Sequence, residues 1–90
     1  MDLKFSVITA NYNNGKFLPE LIESIKKQTY GNWELIITDD FSTDESLAVL
    51  ASYTEDKRIK VCAHNKNEGA AAAFASSLEN AEGDIIGMLG

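Results

Sequence analysis

Four short apolar, β-branched runs alternate with three stretches of helical periodicity along these 90 residues, and that alternation constrains the fold more than any other feature. Residues 5–9, Phe-Ser-Val-Ile-Thr, read as a buried strand. The polar turn cluster Asn11-Tyr12-Asn13-Asn14-Gly15 follows. Over 16–27 the apolar residues Phe17, Leu18, Leu21, Ile22 and Ile25 recur at helical spacing, with Pro19 in the first turn, where its missing N–H costs little. A second buried strand spans 33–38 around Leu35-Ile36-Ile37, and Asp39-Asp40-Phe41-Ser42-Thr43-Asp44 breaks it. Ser42 or Thr43 is expected to cap the next helix, whose inner face reads as Leu47, Leu50 and Ala51. Residues 58–63 form a third strand. An alanine-rich helix after Gly69 follows, with Phe74, Leu78 and Ala81 as its apolar stripe, and 84–89 starts a fourth strand.

The order βαβαβαβ implies an α/β, three-layer, Rossmann-like parallel sheet with helices on both faces. In such a sheet the loops that leave strand carboxyl ends share one edge, and ligands bind there, where strand order reverses. Segments 11–15, 39–43 and 64–69 all leave strand carboxyl ends. They bring an aromatic ring, two carboxylates, an Asn and a Gly to a common rim.

Charge narrows the ligand. Fourteen acids against 8 bases leave a formal charge of −6, which disfavours non-specific nucleic-acid binding. An anion would have to be held locally, by a helix N-terminus or a cation. Cys62 stands alone, so no disulfide framework exists, and we expect it in the core. Met1-Asp2-Leu3-Lys4 shows no secretory signal and no run is long enough to span a bilayer. A cytoplasmic location is expected, with the inner face of the membrane open to a longer parent.

Several segments together resemble the opening of the family 2 inverting glycosyltransferases of the GT-A fold. They are 5–15 (Phe-Ser-Val-Ile-Thr-Ala-Asn-Tyr-Asn-Asn-Gly), 28–40 (Gln-Thr-Tyr-Gly-Asn-Trp-Glu-Leu-Ile-Ile-Thr-Asp-Asp) with Ser42-Thr43-Asp44, Asn67-Glu68-Gly69, and Gly83-Asp84-Ile85-Ile86. The resemblance implies that 1–90 is the nucleotide-binding half of a transferase domain, incomplete in or after the fourth strand. The parent would move a sugar from a nucleotide-diphosphate sugar, with UDP the expected nucleotide, to a saccharide or lipid-linked acceptor. It also implies a role for the parent in cell-wall or polysaccharide biosynthesis.

The resemblance further assigns a nucleotide pocket. Tyr12 would stack on the base, Ala10 would touch it through backbone, and Asp40 would accept the base N3–H. Asn67 and Gly69 would line the pocket. Beside these assignments stand plainer readings: Tyr12 closing over the core, the acidic pair serving turn chemistry, and Asn67 with Gly69 capping a helix. Asp39 is expected to support its loop, His64 to be a satisfied strand-end side chain, Trp33 to be packing and Lys66 to be solvated. The Mg²⁺ or Mn²⁺ ligands and the catalytic base of the family would lie beyond Gly90, so no residue here is assigned a catalytic or metal-binding role. Many members of the family place Arg-Asn where this chain has Phe74-Ala75, and Gly where it has Ser77.

A second reading, from a different class, is a small non-catalytic α/β binding or interaction module. Such a module would need a finished sheet edge, whereas strand 84–89 invites pairing with another chain. A dinucleotide fold needs Gly-x-Gly-x-x-Gly after a strand, and the first loop has only Gly15; no phosphate-binding Gly-Lys-Ser/Thr loop occurs either. A receiver domain would carry its acidic pair after the first strand, and here it follows the second.

Overall fold

The computed structural model describes residues 3–27 and 31–89; Met1, Asp2, the 28–30 portion of the resemblance and Gly90 lie outside the described residues. The elements are β1 (Phe5–Asn11), a 3-10 turn (Gly15–Phe17), α1 (Leu18–Lys26), β2 (Trp33–Asp39), α2 (Ser46–Ala51), β3 (Ile59–Ala63), α3 (Ala70–Glu79) and β4 (Ile85–Leu89). The four strands form one sheet in the order β3-β2-β1-β4, every pair parallel. The chain therefore builds outward from β1 to β3 and then returns to the other side of β1. That reversal is the switch point at which α/β sheets bind ligands.

β2 lies between β1 and β3, and all seven of its residues are buried. This is why its sequence is a nearly continuous apolar run rather than an alternating one. Trp33, Leu35 and Ile37 project to one face and meet Leu18, Ile22 and Ile25 of α1, Leu50 of α2 and Ile59. Burying side chains of this size stabilises the fold by about 1.5–3 kcal/mol each. Trp33 is packing, as expected, and the Arg58 guanidinium stacks on its ring at 4.0 Å. α3 covers the opposite face, where the Ser77 hydroxyl bonds Thr38 Oγ1 at 2.8 Å and the Thr9 carbonyl at 3.0 Å.

Both later helices depart from the expected faces. In α3 the buried residues are Ala73 and Ser77, while Leu78 is 51% exposed and Ala81 lies past the helix end. Small side chains let this helix sit close on the sheet, and the hydrogen bonds of Ser77 replace apolar contact. In α2, Ser46 and Leu50 are buried, whereas Leu47 and Ala51 are exposed. Neither Ser42 nor Thr43 caps α2. The Asp44 carboxylate does so instead, accepting the Ser46 N–H at 2.9 Å and the Ser46 hydroxyl. Cys62 is half-buried rather than core, with Asn80 Nδ2 at 3.4 Å from its sulfur.

A carboxylate in the apolar run of β2 ties the far end of the sheet together. Glu34 accepts the Ser6 hydroxyl and the Glu82 N–H, and Ser6 Oγ in turn accepts the Gly83 N–H at 2.7 Å. Lys60 Nζ lies 2.9 Å and Lys4 Nζ 3.5 Å from Glu34 Oε1, making ionic contacts. Burial alone would raise this pKa. The Ser6 hydroxyl, the Glu82 N–H, Lys60 and Lys4 together outweigh burial and hold it at about 2.

Candidate functional site

β1 and β2 run one residue or more further than the sequence pattern suggests, so Asn11 and Asp39 are strand residues paired with each other and buried. Their side chains bond across the strands, Asn11 Nδ2 to Asp39 Oδ1 at 2.8 Å. Asp39 also accepts the Ser42 hydroxyl at 2.7 Å and the Ser42 N–H at 3.0 Å. It supports the loop, as expected of it. The tight turn so made holds Phe41 at φ 63°, and the ring is half exposed. Asn13 closes the neighbouring loop onto this one. It sits at φ 52°, and its Oδ1 accepts the Thr43 N–H at 2.7 Å and the Asp44 N–H at 3.2 Å.

Asp40 is the hub of the rim. Its side chain is almost fully buried, and its Oδ1 accepts the Glu68 N–H at 2.8 Å and contacts His64 Nδ1 at 2.9 Å. Its Oδ2 accepts the Gly69 N–H at 2.8 Å. The Glu68 N–H first, then His64 and the Gly69 N–H, hold this carboxyl below the usual carboxylate range against the opposing effect of burial. One side chain at the end of β2 thereby positions the whole segment that precedes α3. His64 is satisfied on both ring nitrogens, with Nε2 2.8 Å from the Ser76 hydroxyl.

Gly69 adopts φ 97° and ψ 161°, a backbone region open essentially to glycine alone. A Cβ there would meet no protein atom within 4 Å, so conformation rather than crowding inside the protein selects this glycine. Directly after it α3 begins, and its N-cap, being glycine, offers no side chain to cap the helix. Its N-terminus is therefore a place where an anion is favoured.

Ala10, Tyr12, Asp40, Asn67 and Gly69 all line one pocket of about 360 Å³, together with Asn11, Asn14, Ala70 and Phe74. The five residues named from sequence thus meet at one place on the carboxyl edge of the sheet. Tyr12 is 46% exposed, so its ring does not close the core. Lys66 is exposed and contributes no lining. Asn11, Asn14, Ala70 and Phe74 line the pocket beyond the residues the resemblance assigns, Phe74 standing where many family members carry Arg. A signal existed for Ala70 and Phe74: positions 70 and 74 are one helical turn apart, directly after the rim glycine.

Another hollow of about 310 Å³ lies away from this rim, among Phe5, Val7, Ile25, Trp33, Gly87, Met88 and Leu89. Its lining side chains are all apolar, which gives it no group to do chemistry.

The rim does not suit a metal ion. Among the described residues no group of three or more His, Cys, Asp or Glu side chains gathers to hold one. The two adjacent carboxylates, Asp39 and Asp40, each already accept three hydrogen bonds from within the protein.

Comparison with known proteins agrees with this fold. Residues 6–90 match the family described as Glycosyl transferase family 2. The Escherichia coli UDP-Glc:alpha-D-GlcNAc-diphosphoundecaprenol beta-1,3-glucosyltransferase WfgD is 36% identical over 88 residues, which cover 98% of this chain and 34% of that protein. The S. aureus TarS 1-349 structure in complex with UDP-GlcNAc superposes with a TM-score of 0.89 at 32% identity, over 97% of this chain and 26% of that one. The mannosyltransferase PcManGT from Pyrobaculum calidifontis, in complex with GDP-Man and Mn²⁺, shares the fold at a TM-score of 0.86 and 23% identity, over 96% of this chain and 26% of that one. The chain spans 14% to 34% of the length of the curated relatives it matches. With its four-stranded α/β architecture that of the GT-A glycosyltransferases and nearly its whole length matched, the chain belongs to glycosyl transferase family 2.

Proposed function

We propose that these 90 residues are the donor-nucleotide half of a transferase domain that passes a sugar from a nucleotide-diphosphate sugar, UDP-linked by preference, to an acceptor hydroxyl with inversion. The observation that carries this reading is the single pocket shared by Tyr12, Asp40, Asn67 and Gly69 at the switch edge of the sheet. Tyr12 offers an exposed ring on which a base can stack, worth about 1–3 kcal/mol. Asp40, an acceptor-only carboxylate, suits a base that presents an imide N–H. The uncapped start of α3 suits the diphosphate.

The names of the relatives support the ligand class. One is named for UDP-Glc and a lipid-linked saccharide acceptor, and a structural neighbour was solved with UDP-GlcNAc. By the same analogy the parent works in cell-wall or polysaccharide assembly, in the cytoplasm or at the inner face of the membrane. Divalent metal use would follow the Mn²⁺-bound neighbour, with Mg²⁺ as the other expected ion and with ligands outside these residues. The catalytic base would likewise lie elsewhere, so we expect this chain alone to transfer no sugar. Turnover of a UDP-sugar by the purified chain would contradict that.

The binding test is a titration of UDP, GDP and dTDP, with and without Mn²⁺, followed through backbone amide resonances. Metal-independent shifts at Tyr12, Asp40 and Gly69 for one base are the expected result. No shifts at these positions for any of the three would refute the pocket.

A further inference from the structure

We propose that His64 is a positioning residue for base recognition, fixing which oxygen of Asp40 is left to read the ligand. The inference rests on the donor-nucleotide reading above and goes a step beyond it. His64 lies at the end of β3, nearly buried, with both ring nitrogens engaged: Nδ1 at 2.9 Å from Asp40 Oδ1 and Nε2 at 2.8 Å from Ser76 Oγ on α3. A carboxylate only accepts, so the hydrogen bond to Asp40 is donated by the Nδ1–H of the ring. Glu68 Oε2 also faces the ring, 3.6 Å from Nδ1, and favours the same proton position.

The three groups have the chain order of a nucleophilic triad, but they cannot act as one. Ser76 lies inside α3, where the backbone N–H groups that would receive a developing oxyanion are spent on the helix. What the arrangement does instead is count lone pairs. Oδ1 of Asp40 receives two donors, Glu68 N–H and His64 Nδ1–H, and is saturated. Oδ2 receives one, the Gly69 N–H, and keeps a single acceptor position. His64, anchored through Ser76 to α3, thus turns the carboxylate so that one acceptor faces the pocket. The ligand that fits is a base offering an N–H at that point, as the ring imide of uracil does; cytosine presents an unprotonated nitrogen at the same ring position.

The test measures UDP and CDP affinity for the unsubstituted chain and for His64→Ala, His64→Asn and Ser76→Ala, with the amide resonances of Glu68 and Gly69 recorded without nucleotide. We expect His64→Ala to weaken UDP about tenfold while CDP changes little, which erases the preference for UDP. His64→Asn, which keeps an N–H toward Asp40, recovers part of the loss. Ser76→Ala weakens UDP about two- to threefold and shifts the Glu68 and Gly69 resonances. A His64→Ala chain that binds UDP as before, or that loses UDP and CDP equally, overturns the positioning role and leaves the pocket standing. Failure of the unsubstituted chain to bind UDP overturns the base-pocket reading and this proposal with it.

Discussion

At Gly69 a single backbone conformation decides whether the pocket exists. Its φ of 97° and ψ of 161° set the direction in which α3 leaves the rim, directly after the Glu68 and Gly69 N–H groups that bond Asp40. Alanine cannot adopt this conformation without strain of about 1–3 kcal/mol. We therefore expect Gly69→Ala to lower the denaturation midpoint and to abolish nucleotide-induced shifts at Asp40, measured by urea unfolding and by the titration above. Legibility also differs residue by residue. That the loop carrying Asp40 reaches the rim could be read from sequence, because strand carboxyl ends share an edge, and the family resemblance singled out Asp40 within it. That Asp40 works by organising its own loop could not, since its donors come from residues 24 to 29 positions away.

Among the elements, β2 contributes to the response to acid through its buried Glu34; Asp56, which Arg58 also holds at about 2, contributes as well. The folded-state pKa of Glu34 is about 2 against an ordinary 4.5, so its ionised form is favoured by folding. This contribution, roughly 3 kcal/mol, is fully present above about pH 4.5 and is lost as pH falls toward 2. Glu34→Gln should flatten stability across that window relative to the unsubstituted chain, read from urea midpoints between pH 5 and 2. The approach to β4 has its own constraint. A Cβ on Gly83 would sit 2.4 Å from Ser6 Oγ and 2.8 Å from the Lys4 carbonyl. Gly83→Ala is expected to cost about 1–3 kcal/mol by forcing β1 and the α3–β4 link apart; an unchanged thermal midpoint would refute the close approach. Strand positions and the face of α1 could be read from apolar residues, but the faces of α2 and α3 could not. Ala73, Ser46 and Ser77 are buried without looking apolar enough to claim a core position.

For the whole molecule, the informative feature is asymmetry between the two sheet edges. β4 pairs with β1 on one side only, and all five of its residues are exposed, Met88 at 65%. No described helix covers it, and an open apolar edge recruits other strands. We propose that the chain self-associates through 84–89. Sedimentation velocity should show concentration-dependent association that Met88→Lys reduces, because a charge on an exposed edge strand opposes pairing. A monomer at all concentrations would rule this out. No helix of the described residues is long and apolar enough to cross a membrane.

The alternation of apolar runs and helical periods determined the fold class, the parallel sheet and the edge on which polar loops would gather, because these follow from local periodicity and from the geometry of strand crossovers. The tertiary structure alone decided what the polar groups do once gathered. Hydrogen-bond partners are assigned by proximity in space, and Asp40, His64 and Ser76 become one unit only when β2, β3 and α3 are packed together.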